Sequence, residues 1–252
     1  MTVCLCSWGA LTPAGILVPE GLRPWDQGRS GVETVRREQV LEHPFPPFGK
    51  LPLAERLAFA AASLALHAAS AVIDTECALY AGVTRGSVST DIHYIESLRT
   101  PYPSPAHFSA TLPSSVIAEI AIYYRIKGAN RVFVGPANSC QWALFTAFDR
   151  VHRAASPAAL VVLVDCVEPQ HRARMGVQGA PAALALLLCP ATEPRAERTF
   201  TLSAAPAQTR GSGAPIDELA AFLLSGRATH TVHDPGGLRS LLIAKEPVPC
   251  KN

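Results

Sequence analysis

Two kinds of apolar pattern alternate along this chain, short aliphatic runs and longer stretches with helical spacing. The short runs have the length and composition of strands buried in a sheet, and they are 2–7, 77–83, 131–134, 159–166 and 182–189. The helical stretches are 53–73, 88–98, 112–126, 138–153 and 216–224. Segments 198–205 and 238–244 are also predicted as strands, the first at a sheet edge. Strands alternating with buried helices predict an α/β layered fold with a mixed sheet between helix layers.

Three segments lack either pattern. Residues 23–50 contain several prolines and are predicted to form an irregular surface excursion. Residues 203–215 are polar and contain glycine, so we expect flexibility there. In 228–234, His230 and His233 have the spacing of a metal-ligand pair, but no third ligand is near in sequence. This segment is therefore predicted to be a solvated loop.

Composition excludes several functional classes. The 252 residues are 48% hydrophobic and 17% charged, which is typical of a globular protein. A net charge of +2 gives no indication of nucleic-acid binding, and no apolar run is long enough to span a membrane. The N-terminal segment lacks a secretion-signal pattern, and the seven cysteines lack zinc-site spacing. We therefore expect reduced, mostly buried thiols, a cytoplasmic location, and no metal or cofactor.

Residues 108–147 contain the most informative pattern. An apolar helix is followed by Gly128, a short strand (Arg131, Val132, Phe133 and Val134) and a second helix that Asn138 or Ser139 opens. Earlier, residues 9–15 read Gly-Ala-Leu-Thr-Pro-Ala-Gly after the first strand. Two segments of β-ketoacyl synthases (ketosynthases), which belong to the thiolase-like superfamily, resemble residues 9–15 and 108–147. They occur in the same order along the chain. In that family a strand-to-helix elbow presents a nucleophilic cysteine.

The resemblance places alanine at the elbow. Counting the family's distance from Gly128 reaches Ala137, and Ala143-Leu144 then fall where the family's elbow helix has its apolar pair. A methyl group can act neither as nucleophile nor as base. Cys140, three residues further, is the alternative nucleophile if the backbone bulges, and otherwise a small buried residue. The sequence therefore predicts no catalytic residue at Ala137.

The resemblance also implies a particular class. It covers the N-terminal half of the family only. The match is good over residues 1–190 and poor over 190–252. We expect a single domain, 1–252, of which 190–252 is an extension. The two histidines and the lysine of the family's second half have no counterparts here. A ketosynthase-like chain without the cysteine is similar to a chain length factor, and half-length versions occur in aryl-polyene-type pathways. Such a chain is a non-catalytic partner in polyketide, polyene or fatty-acid-type biosynthesis.

Partners and site residues follow from that resemblance. It implies a heterodimer with a ketosynthase subunit, in which Arg131–Val134 pair with the partner's strand, and contact with an acyl carrier protein through the complex. Three apolar side chains of the preceding helix are predicted to line the acyl tunnel: Val116, Ile117 and Ile120. Two alternatives remain: a stand-alone thiolase-fold acyltransferase or condensing enzyme that uses Cys140, and a homodimeric acyl-binding scaffold.

Overall fold

A ten-stranded mixed sheet forms the centre of this computed structural model. The structure describes residues 2–26, 31–69, 73–136, 138–191, 200–206, 216–225, 227–233 and 239–245. The strands are β1 (Val3–Thr12), β2 (Gly15–Val18), β3 (Gly21–Pro24), β4 (Ala78–Val83), β5 (Asn130–Val134), β6 (Ala159–Asp165), β7 (Ala182–Pro190), β8 (Phe200–Pro206), β9 (Thr229–His233) and β10 (Arg239–Lys245). The helices are α1 (Leu53–Ala68), α2 (Val88–Ser97), α3 (Pro105–Ser109), α4 (Ser115–Tyr123), α5 (Ser139–His152), α6 (Pro169–Arg172) and α7 (Ile216–Leu224).

The strand order determines which loops lie together. Across the sheet the order is β5-β4-β6-β7-β1-β8-β10-β9, and the β2–β3 hairpin extends from β1. Strand β4 is parallel to both β5 and β6, whereas the remaining pairs are antiparallel. The carboxyl ends of β4, β5 and β6 therefore meet at one edge of the sheet. Functional groups in α/β proteins gather at such an edge.

Helices cover both faces of the sheet. On one face α1 and α4 pack over a core that includes Leu57, Phe59 and Ile120. On the other face α5 and α7 pack over a second core that includes Trp8, Phe145 and Leu219. The predicted mixed sheet between helix layers is confirmed. Among the described residues, no helix is long and apolar enough to cross a membrane.

Glycines allow both helix layers to lie unusually close to the sheet. A Cβ atom on Gly9 would lie 2.4 Å from Leu64 Cβ of α1. A Cβ atom on Gly82 would lie 2.6 Å from Cys140 Cα and from the Ser139 carbonyl oxygen at the start of α5. No side chain fits at such distances without moving the backbone. Gly82 therefore fixes how closely α5 rests on β4.

Two predictions about the last sixty residues were wrong. Strand β8, expected at a sheet edge, lies between β1 and β10. Residues 228–234, expected to be a loop, contain β9, which pairs with β10 at the far edge of the sheet. The Thr-His-Thr pattern of β9 conceals a strand because an edge strand faces water on much of its surface. The described part of 190–252 thus continues the same sheet.

The segment that precedes α1 also differs from expectation. The sequence predicted an irregular segment on the surface. Its described part, from residue 31, instead forms three short 3-10 turns. Four of its apolar side chains are buried in the first core, namely Val32, Val35, Val40 and Phe48. Phe45 stacks on Phe59 of α1, with ring centroids 4.5 Å apart. These contacts hold the irregular segment against α1.

Some predicted helices are shorter in the structure. Helix α1 ends at Ala68 rather than at residue 73, and residues 70–72 are outside the described part of the chain. Helix α4 spans Ser115–Tyr123, within the predicted 112–126. Pro113 precedes its first turn and Arg125 follows its end with a φ of 55°. The left-handed backbone at Arg125 ends the helix and turns the chain back toward the sheet.

We predict that Gly82→Ala destabilises the fold. The added methyl group meets the backbone of α5, which cannot move away as a flexible side chain would. Overpacking of this kind costs about 1–3 kcal/mol. The measurement is the free energy of unfolding from urea titration. Gly49→Ala is the matched control, since a Cβ atom there has no neighbour within 4 Å. Equal stability of the two variants would contradict the close approach of α5.

Candidate functional site

The strand-to-helix elbow between β5 and α5 is the candidate site. Strand β5 ends at Val134, and the Gly135 N–H donates to the Val83 carbonyl oxygen at 3.1 Å. Gly135 has a φ of 152°, a conformation that favours glycine. Helix α5 begins at Ser139, with Asn138 as its N-cap residue. Ala137, the predicted nucleophile position, lies outside the described residues, so its role stays a prediction.

Cys140 is buried in the first turn of the elbow helix. It is 8% exposed, and its Sγ lies 3.9 Å from the Gly82 carbonyl oxygen. Burial raises the pKa of this thiol to about 12, and the negative charge of Asp165 adds to the rise, whereas a hydrogen bond with Ser139 opposes it. The loss of solvation outweighs the favourable field of the helix N-terminus. The structure therefore disfavours Cys140 as a nucleophile.

The carboxylate nearest this edge is held by neighbouring side chains. Thr84 Oγ1 donates to Asp165 Oδ1 at 2.5 Å, and Arg85 Nε lies 3.7 Å from the same oxygen. These contacts join the loop after β4 to the end of β6. A carboxylate held by a hydroxyl group and a guanidinium group serves to fix two loops in place. The arrangement indicates a structural role for Asp165.

Strand β5 is the open edge of the sheet. It pairs with β4 only, among the residues that the structure describes. Gly135 N–H points toward β4, and N–H directions alternate along a strand, so those of Val132 and Val134 point outward. Val134 is 53% exposed, Arg131 is exposed, and Val132 and Phe133 are partly buried. The pairing of this strand with a partner stays a prediction, and its outer edge is available for it.

An open cavity of about 550 Å³ lies between β5 and α5. Trp142, which is 41% exposed, contributes an indole ring to its wall. Arginines are frequent in the lining, which includes Arg131, Arg150 and Arg153. The cavity therefore offers a concave surface beside the open strand edge, lined by three aromatic residues, three arginines and one carboxylate, Asp149.

Helix α4 presents one face to the core and another to the outside. The three predicted tunnel residues, Val116, Ile117 and Ile120, are at most 4% exposed and pack in the first core, next to α1. Their tunnel role stays a prediction, and core packing accounts for their burial. On the outer face of the same helix, Ile122 is 71% exposed. Sequence periodicity gave the helix but not which of its apolar residues face outward.

Large apolar side chains are exposed mainly in one part of the chain. Of eleven such residues among those described, eight lie between positions 95 and 142. They are Ile95, Leu98, Tyr102, Phe108, Leu112, Ile122, Val134 and Trp142. Monomeric proteins seldom expose so many apolar side chains in one region. Of these eight residues, Val134 lies on the open strand β5 and Trp142 lines the cavity beside it.

Structural comparison identifies the fold. The chain is similar to a chain of the ketosynthase (ApeO)–chain length factor (ApeC) complex from Xenorhabdus doucetiae, at 17% identity and a TM-score of 0.65, covering 97% of this chain and 99% of that chain. It is also similar to the ishigamide ketosynthase/chain length factor, at 16% identity and a TM-score of 0.63, covering 82% and 68% of the two chains. No known protein-family model and no curated protein matches the sequence. The chain has the thiolase-like fold of ketosynthase and chain length factor proteins.

The same fold is found in a complex of a type II polyketide acyl-carrier protein with its ketosynthase (AntDE:AntF). The likeness has 13% identity and a TM-score of 0.65, and it covers 81% of this chain and 70% of that chain. The chain from Xenorhabdus doucetiae, by contrast, is covered almost entirely, so its length is close to that of the present chain. The predicted thiolase-like fold is therefore confirmed, and the match includes the part after residue 190.

We predict that Cys140 resists alkylation in the folded protein. Raising the thiol pKa from 9 to about 12 lowers its thiolate fraction at neutral pH about a thousandfold. The measurement is peptide mass spectrometry after brief iodoacetamide treatment at pH 7.5. The same cysteine in the chain unfolded by guanidinium is the control and should react rapidly. Fast labelling of Cys140 in the folded chain would support the nucleophile alternative.

Proposed function

We propose that this chain is a non-catalytic, chain-length-factor-like partner of a ketosynthase, with which it forms a heterodimer. In this proposal the whole chain acts as one ketosynthase-like N-terminal domain, and an acyl carrier protein reaches it through the complex. The product class is a polyketide, a polyene of the aryl-polyene type or a fatty-acid-type chain. The role of the chain is to supply one wall of the space in which the acyl chain grows.

The observation that carries the proposal is the open edge of β5, with the exposed Val134 on the strand and Trp142 beside it. Outward N–H and C=O groups of Val132 and Val134 need partners, and a strand from another subunit satisfies them. The cavity beside Trp142 offers room for side chains of that subunit. Two structural neighbours are described as ketosynthases together with their chain length factors, which supports a partner of that kind.

Two features argue against independent catalysis. By the resemblance to ketosynthases, Ala137 stands at the position where that family has its reactive cysteine. The adjacent thiol, Cys140, is buried and stays protonated at neutral pH. An acyl-thioester on this chain therefore lacks a suitable nucleophile. The condensing chemistry belongs, in this proposal, to the partner's cysteine.

Co-expression with a ketosynthase encoded beside the chain tests the proposal. We expect a 1:1 complex by size-exclusion chromatography with light scattering. Intact mass spectrometry after incubation with an acyl-carrier thioester should show acylation of the ketosynthase and none of this chain. A stable homodimer that ignores the ketosynthase would favour the scaffold alternative. An acyl adduct on this chain that disappears in Cys140→Ala would refute the proposal.

The contribution of the edge strand is testable at Val134. We predict that Val134→Pro weakens the heterodimer about tenfold or more, because proline removes an outward N–H donor and obstructs strand pairing. The fold should be retained, since that N–H does not pair with β4. Affinity is measured by biolayer interferometry and folding by circular dichroism. Val134→Thr, which keeps the donor and the β-branch, is the matched control. Unchanged affinity of the proline variant would exclude β5 from the interface.

The tunnel wall is testable on the outer face of α4. We propose that Ile122, rather than the core residue Ile120, faces the growing chain, since only the former is accessible to a partner. Ile122→Phe in an active complex should shorten the product by at least one elongation step, because a bulkier side chain shortens the available space. Product length is read by mass spectrometry. Leu22→Phe, a substitution at an exposed position on β3, is the control and should leave product length unchanged. An identical product from Ile122→Phe would place the length-limiting wall elsewhere.

A further inference from the structure

Three side chains distant in sequence come together near the carboxyl ends of β4 and β6. His93 lies on α2, Glu168 precedes α6, and His171 lies on α6. Each offers one ligand atom, and the three atoms lie within 4.8 Å of one another. Glu168 Oε2 lies 2.8 Å from His93 Nε2. Two imidazoles and one carboxylate form a common ligand set for zinc.

His171 supplies the independent indication of a missing ligand. It is only 7% exposed, and its Nε2 has no hydrogen-bond partner among the described residues. Buried polar atoms almost always have a partner, and leaving one without costs free energy. Its ring meets that of His93 edge to face, with centroids 4.9 Å apart. A cation between the two rings and the carboxylate would satisfy this nitrogen.

The surrounding contacts hold the three side chains in place. They also leave the Glu168 carboxylate able to bind a cation. The Glu168 backbone N–H donates to Ser89 Oγ at 3.0 Å, which ties the segment before α6 to α2. Gln170 Nε2 donates to Glu168 Oε2, a contact that leaves further lone pairs on the carboxylate. The nearby Arg172 is paired with Glu33 and donates to the Val167 carbonyl oxygen, so its charge is already compensated.

We propose that His93, Glu168 and His171 bind a divalent transition-metal ion of the Zn²⁺ type. Nitrogen and carboxylate oxygen ligands suit zinc and its first-row neighbours better than calcium or magnesium. Tetrahedral zinc bonds of about 2.0–2.1 Å separate neighbouring ligand atoms by about 3.3 Å. The three ligand atoms would have to approach one another by up to about 1.5 Å from their present 4.8 Å limit to reach that spacing. The site is independent of the elbow and of β5, and the ion would join α2 to α6.

Cobalt and zinc titration of the chelator-treated chain tests the site. We expect one Co²⁺ per chain with visible d–d absorption, displacement by Zn²⁺, and a rise in the melting temperature with either ion. No thiolate-to-cobalt charge-transfer band should accompany it, because no cysteine is a ligand. His93→Asn and Glu168→Gln should each weaken binding at least about tenfold. These two positions are more exposed than His171, so the variants are expected to fold.

His67→Asn is the matched control. His67 also lies beside a carboxylate, Glu42, at 3.3 Å, but both side chains are exposed and neither belongs to the three-residue cluster. This variant should bind Co²⁺ as the unaltered chain does. Absence of stoichiometric binding would overturn the proposal. So would binding that is unaffected by both cluster variants while circular dichroism shows them folded. Neither result depends on the presence of a ketosynthase partner.

Discussion

The approach of helix α5 to strand β4 at Gly82 is the constraint on which the elbow depends. Without a side chain at that position, the first turn of α5 rests on the sheet backbone. Cys140 is thereby pressed against β4 and removed from water, which keeps its thiol neutral. A parallel arrangement exists on the other face, where Gly9 lets the alanine-rich α1 approach β1. Close packing of the first turn of α5 on β4 is therefore what the structure shows at this elbow.

The apolar cores lie on the two faces of the sheet, whereas the open strand edge lies outside them. Both faces of the sheet are covered by helices, and the predicted tunnel residues belong to the core. By contrast, β5 keeps one edge open among the described residues, with the exposed Val134 on the strand and Trp142 in the cavity beside it. In the proposed heterodimer, this open edge is the surface that meets the catalytic subunit.

Sequence patterns predicted the central strands because these are continuous apolar runs buried on both faces, as in 159–166 and 182–189. They failed for β9, whose Thr-His-Thr pattern resembles a loop, and for the outward residues of α4, since both faces of that helix are apolar. The histidine–glutamate cluster was missed because His93 and Glu168 are 75 residues apart. Only Glu168 and His171, three residues apart, gave a local sequence signal for the cluster. Such Glu–His pairs are too common to indicate a site.

The two edges of the sheet differ in the side chains that their strands expose. At one end β5 offers valine and phenylalanine, whereas at the other end β9 exposes Thr229 and Thr231 to solvent. Head-to-tail stacking of sheets would require these unlike edges to match, and repeated stacking of that kind leads to fibres. In the proposed heterodimer, these unlike edges disfavour continued head-to-tail pairing through the sheet.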